Sequence, residues 1–143
     1  MSNINIMIVD DTEMDRYLLK RLLLKRTSFD GNVLEAQNGA EALEFFNGDQ
    51  ENFERQSDQH PPGLVFLDIN MPIMGGFKFL ENFEILRGER PELKSVVLTM
   101  FSSSDREEEK QRACAFDCVG GYVTKGTLRG EYLQSLIDTF CNK

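Results

Sequence analysis

The sequence is short of histidine, of cysteine and of positive charge, and each shortage excludes something. Its one histidine, His60, precedes two prolines in a polar stretch, with no other histidine or cysteine beside it. That removes a histidine-based metal site, and it removes a histidine-to-aspartate relay within the chain. The three cysteines, Cys114, Cys118 and Cys141, are an odd number without framework spacing, which fits a reduced setting rather than a disulfide scaffold. Cys114 and Cys118 stand at helical spacing, but two thiols alone make a poor zinc site, and free, semi-buried thiols are the better reading. Sixteen Lys and Arg against twenty-four Asp and Glu leave a net charge of −8, which argues against a broad basic face for nucleic acid. No stretch approaches the roughly 20 apolar residues needed to span a membrane. The N-terminus, MSNINIMIVDD, has no basic segment followed by an apolar one, so no signal peptide is read and a cytoplasmic protein is expected. The 143 residues suit one domain, residues 1–143, with no output domain attached.

What is present alternates. Ile4–Val9 is a short apolar run ending in Asp10 and Asp11; then Met14, Tyr17, Leu18 and Leu22 recur at helical spacing through Lys25. Val33–Ala36 reads as a strand, and Ala40, Leu43 and Phe46 as a helix. Leu64–Leu67 is a third strand ending at Asp68, followed by a helix marked by Phe77, Leu80, Phe83 and Leu86. Val96–Met100 is a fourth strand. Ser104 and Glu107 have the spacing of a capping box that opens the next helix. Tyr122–Thr124 is a fifth strand, and Thr127 is placed as the cap of a last helix carrying Leu133, Leu136, Ile137 and Phe140. The connection Asn47–Gly63 is long and polar. Strands alternating with helices predict an α/β fold with a parallel sheet covered on both faces. The strands read as unbroken apolar runs, as burial on both faces requires.

Two of these strands end in acid. In a flavodoxin-like, doubly wound five-stranded sheet of order 2-1-3-4-5, strands 1 and 3 are neighbours, and ligands bind at the crevice between their carboxyl ends. Three carboxylates there, from Asp10, Asp11 and Asp68, repel one another, and a divalent cation relieves the repulsion. Mg²⁺ takes one or two carboxylates directly and fills its other positions with water or phosphate oxygens. Thr99, ending the fourth strand, and Lys125, following the fifth, belong to the same rim and suit the oxygens of a phosphoryl group. The chemistry this implies is nucleophilic attack by a carboxylate on phosphorus. Taken alone, the Asp10-Asp11 pair would more simply cap the first helix.

These pieces match a family. IMIVDD (Ile6–Asp11), FLDINMP (Phe66–Pro72), VVLT (Val96–Thr99) and YVTK (Tyr122–Lys125) occur in the order and spacing of the receiver (CheY-like) domain of two-component response regulators, which the whole chain resembles. The resemblance implies that Asp68 is the phosphoacceptor and that Asp10, Asp11, Asp68 and the backbone carbonyl of Asn70 hold Mg²⁺ (or Mn²⁺). It further implies that Thr99 and Lys125 contact the phosphoryl group, that Thr99 and Tyr122 form the switch, and that the phosphoryl donor is a histidine kinase or a histidine phosphotransfer protein. A partner would read the face of the fourth helix, fifth strand and fifth helix, and catalysis would be limited to self-phosphorylation and self-hydrolysis. The sequence departs from the pattern at Gly126, where proline usually follows the lysine, at Gly75, where aspartate is common, at Cys118, where glycine often stands, and at Met100 and Phe101, where a small residue usually follows the threonine. Bulk there would narrow the site, restrict Tyr122, shield an acyl phosphate or present an apolar surface to a partner. Two other readings remain at this point. One is a pseudo-receiver acting as a constitutive interaction module. The other is a haloacid-dehalogenase-type phosphohydrolase, whose second acid would fall at Asn70.

Overall fold

A computed structural model describes residues 5–47 and 62–140. Five parallel strands, β1 (Ile6–Val9), β2 (Val33–Ala36), β3 (Leu64–Leu67), β4 (Val97–Ser102) and β5 (Val119–Thr124), form one sheet in the order β2-β1-β3-β4-β5. Among the described residues five helices alternate with them: α1 (Glu13–Arg26), α2 (Gly39–Phe46), α3 (Gly76–Glu89), α4 (Glu107–Cys114) and α5 (Gly130–Phe140). Short 3-10 turns at Pro91–Ser95 and Lys125–Thr127 complete the described elements. This is the flavodoxin-like architecture that the alternation of runs predicts. His60, Cys141 and nearly all of the long polar connection lie outside the described residues.

Alternation along each strand sends successive side chains to opposite faces. Met7, Val9, Val65, Leu67, Leu98 and Met100 point to one side, where Ala42, Phe46, Phe79, Phe83 and Ala113 of α2, α3 and α4 cover them. Ile6, Ile8, Leu64, Phe66, Phe101 and Val123 point to the other, against Leu19 and Leu23 of α1 and Leu133 and Ile137 of α5. The first layer is anchored by aromatics: Phe83 lies 5.0 Å from Phe46 and 5.5 Å from Phe79, centroid to centroid. Each of these rings is fully buried, and each contributes on the order of 1.5–3 kcal/mol.

Several local expectations give way to packing. Helix α1 buries Leu19, Leu23 and Arg16, whereas Met14, Tyr17 and Leu18 are largely exposed. A helix with leucine at 18, 19, 22, 23 and 24 offers two apolar stripes, and the sheet selects only one. Helix α4 begins at Glu107 rather than being capped by Ser104; the Ser104 hydroxyl instead accepts the Arg106 N–H and meets Glu109. Thr127 caps no helix, because its hydroxyl donates to the Thr124 carbonyl inside the Lys125–Thr127 turn and α5 starts at Gly130. Strand β4 runs on to Ser102, which places Met100 and Phe101 in the core rather than on a partner surface. Cys114 and Cys118 are both free thiols, the first exposed and the second buried. Burial, reinforced by Glu84, pushes the Cys118 thiol well above the ordinary range.

Candidate functional site

The site forms where β1 and β3 end side by side. The Asp68 N–H donates to the Val9 carbonyl and the Asp10 N–H to the Ala36 carbonyl, both at 3.0 Å, so the ladder continues one step past the strands and fixes both acids. Asp10 is completely buried. Its Oδ1 accepts the Thr12 N–H at 2.9 Å, and its carbonyl accepts a 2.7 Å bond from Arg16 Nη1. Arg16 also donates from Nε to Glu35 at 3.0 Å, pinning the first turn of α1 to β2. The helix itself is entered through Thr12, with no side-chain cap, so the paired acids are not its cap.

Asp68 is held as tightly. Its Oδ1 accepts the Ile69 N–H at 2.8 Å, and the loop after it is closed by the Gly76 N–H on the Ile69 carbonyl at 2.8 Å. Gly76 has to be glycine at this approach: a Cβ there would fall 2.3 Å from the Asp68 carbonyl oxygen. Within the loop, Ile73 has φ 67° and is 86% exposed, a left-handed conformation that a β-branched residue adopts only under constraint. Asn70 is exposed on the same loop.

One carboxylate oxygen each from Asp10, Asp11 and Asp68 lie within 4.8 Å of one another. Lys125 closes this cluster. Its Nζ is 2.6 Å from Asp10 Oδ2, 2.7 Å from Asp15 Oδ2 and 3.4 Å from Asp68 Oδ2. The residue after it is Gly126, no peptide among the described residues is cis, and the lysine still reaches the acids. Burial, then the Asp10 charge, lift the Asp68 carboxyl to about 6, against the pull of Lys125 and the Ile69 N–H. Burial works against the Lys125 ammonium, but its bonds to Asp10 and Asp15 and the charges of Asp68 and Asp10 outweigh it and hold its pKa above that of a free lysine. Three acids, Asp10, Asp15 and Asp68, share one base here, and Asp11 adds a further carboxylate beside Asp10 and Asp68. That donor set, all hard oxygen, suits a divalent cation such as Mg²⁺.

The structure does not bring Thr99 to this rim. Thr99 pairs with Phe66, two residues before Asp68, is fully buried, and its Oγ1 has no hydrogen-bond partner. At about 3.3 Å per residue it lies roughly 6–7 Å down the strand from the level of Asp68. Ser102 occupies the strand end instead. It pairs with Thr124, the residue before Lys125, and its hydroxyl accepts the Ser104 N–H at 3.1 Å. Sequence reading stopped β4 too early. Counting back from Lys125 along the pairing of β4 with β5, or noting the serine run after Phe101, would have reached Ser102.

Tyr122, half-buried on β5, donates its hydroxyl to the Ser104 carbonyl at 2.8 Å, tying β5 to the loop after β4. Burial raises its pKa, and contacts with Ser102 and Ser104 work the other way. Lys110 of α4 sits 5.8 Å above its ring. Phe101 is turned inward on Phe66, with Lys125 Nζ 5.3 Å from its ring centroid.

The model of the response regulator receiver domain matches residues 6–135. The chain belongs to the response regulator receiver family. This receiver domain is 26% identical over 133 residues to the chemotaxis protein CheY of Halobacterium salinarum, covering 93% of each chain. It is 36% identical over 125 residues to hybrid signal transduction histidine kinase E of Dictyostelium discoideum, covering 85% of this chain but only 6% of that kinase. Among solved structures, the Mn²⁺-bound form of response regulator Rcp1 superposes with a TM-score of 0.73 at 21% identity, over 94% of this chain and 92% of that one. The acid cluster, with Asp10 and Asp68 buried and Asp11 exposed, fits a receiver-domain metal site. No helix among the described residues is long and apolar enough to cross a membrane.

Proposed function

We propose that this receiver domain is a phosphorylation-dependent switch of a two-component phosphorelay in the cytoplasm, with Asp68 as the phosphoacceptor. The observation that carries the reading is the cluster itself: three carboxylates with oxygens within 4.8 Å of one another, closed by a single lysine. Asp10, Asp11 and Asp68, with the backbone carbonyl of Asn70, would hold Mg²⁺; the Mn²⁺-bound Rcp1 structure supports a divalent ion in this fold. Such an ion supplies positive charge to the phosphoryl oxygens.

The protein's own residues do the rest. The Asp68 carboxylate attacks phosphorus in line, the phosphorus–nitrogen bond of a phosphohistidine on a histidine kinase or phosphotransfer protein breaks, and the imidazole leaves with the bonding pair. With its carboxyl near 6, Asp68 is mostly ionised at neutral pH, as a nucleophile must be. Lys125 is placed to meet a phosphoryl oxygen. Ser102, at the end of β4, takes the hydroxyl role that the sequence suggested for Thr99. A move of the Ser102–Ser104 segment toward the phosphoryl group would pull on Tyr122 through the Ser104 carbonyl and reshape the α4-β5-α5 face read by a partner protein. A ligand shifts such an equilibrium only by its differential affinity for the two states.

The test is direct. Incubation with Mg²⁺ and acetyl phosphate should add one phosphoryl group, seen as a retarded band on a Phos-tag gel, and Asp68→Asn should abolish it. Labelling that persists in the variant refutes the assignment. A wild-type protein that takes up nothing favours a constitutive interaction module instead.

A further inference from the structure

Asp15 lies outside the three-carboxylate cluster, yet it makes one of the two shortest contacts of Lys125. The Lys125 Nζ is 2.6 Å from Asp10 and 2.7 Å from Asp15, but 3.4 Å from Asp68. The ammonium is drawn to the α1 side of the rim, away from the carboxylate on which a phosphoryl group would be built. Asp10 and Asp68 are fixed by backbone pairing to the sheet, so neither can leave. Asp15 is on the first turn of α1 with its side chain 32% exposed, and it is the partner that can be exchanged. It is nonetheless held facing Lys125, because the adjacent Arg16 anchors that turn to the Asp10 carbonyl and to Glu35.

A phosphoryl group on Asp68 brings close to two negative charges and several acceptor oxygens to the same ammonium. Two anions then compete for one cation. We propose that Asp15 is a positioning residue that competes with the phosphoryl group for Lys125 and so weakens the hold of the site on that group. The inference rests on Asp68 being the phosphoacceptor. Asp15 favours the unphosphorylated arrangement because its bond to Lys125 is made there and given up when the phosphoryl oxygen takes its place.

The experiment is a calorimetric titration of beryllofluoride, a phosphoryl mimic, into the full chain at saturating Mg²⁺, with wild type, Asp15→Asn, Asp15→Ala and Asp15→Glu. Loss of a half-exposed competing ion pair corresponds to a gain in affinity of about fivefold, so the Asn and Ala variants should bind about fivefold tighter. Asp15→Glu should return the affinity to near the wild-type value, which a merely structural role for the position would not produce. Urea midpoints establish that each variant is folded. If folded Asn and Ala variants bind beryllofluoride no more tightly than wild type, the proposal is overturned. If wild type itself fails to bind, the phosphoacceptor reading falls and takes this proposal with it.

Discussion

Replacing Asp68 with asparagine should stabilise the metal-free protein. Asp68 is almost wholly buried beside Asp10, and its carboxyl is lifted from 3.8 to about 6. A folded-state pKa above the unfolded value means that the native state holds the proton more tightly than the unfolded chain. The stabilising contribution is therefore full below about pH 4, is lost as pH rises through 6, and above that leaves an ionised carboxylate that the fold tolerates at a cost. A rise of about two units corresponds to about 3 kcal/mol. Asn cannot ionise, so Asp68→Asn escapes this cost, a gain of about 1–3 kcal/mol at pH 7 with the pull of Lys125 already included in the raised value. The assay is urea unfolding followed by far-ultraviolet circular dichroism, in EDTA, at pH 4.5 and pH 7. The difference between variant and wild type isolates Asp68, because every other titrating group is common to both. The variant should be the more stable protein at pH 7, and the gap should narrow at pH 4.5. Mg²⁺ should raise the wild type and leave the variant much less affected. A variant less stable than wild type at pH 7, or a gap independent of pH, would refute the account of Asp68 as a carboxylate strained by burial and by its neighbour.

Two further substitutions probe the loop behind Asp68. Ile73→Asn should raise stability by roughly 0.5–1 kcal/mol, since asparagine tolerates the left-handed conformation that Ile73 adopts at φ 67°, and the 86% exposed side chain gives up little packing; a lowered melting temperature would contradict this. Gly76→Ala should cost about 2 kcal/mol or more and reduce acetyl phosphate uptake, because its methyl group would fall 2.3 Å from the Asp68 carbonyl oxygen and the loop has to move; unchanged urea midpoint and uptake would show that the helix yields instead.

Much of the fold is legible in the sequence for one physical reason. A strand buried on both faces must be apolar throughout, so β1 and β3 stand out as IMIV and LVFL, each closed by an acid. The same contrast marks Asp10, Asp68 and Lys125, since a charge at the end of an apolar run has nowhere to be but the rim. Thr99 misled because a threonine inside a run reads as its end, although a buried hydroxyl in mid-strand is equally compatible with the pattern. Only the pairing of β4 with β5 reveals that the strand continues to Ser102. Asp15 was invisible for a different reason: an acid in a first helical turn already has an explanation in the helix dipole, and its bond to Lys125 spans 110 positions of the chain. The spacing of Met14, Tyr17, Leu18 and Leu22 marks α1 as a helix, but leucine on two faces carries no phase, so it does not say which face is buried.

The bond from Tyr122 to the Ser104 carbonyl also has an optical consequence. The chain contains no tryptophan and three tyrosines. Two of them, Tyr17 and Tyr132, are exposed at 54% and 40%. Tyr122 is the one phenol placed between a strand and the loop beside Asp68, under the ammonium of Lys110. With Tyr17 and Tyr132 replaced by phenylalanine, and with excitation at a wavelength that phenylalanine does not absorb, the emission would come from that single ring, and it would report on the position of the loop without any attached dye.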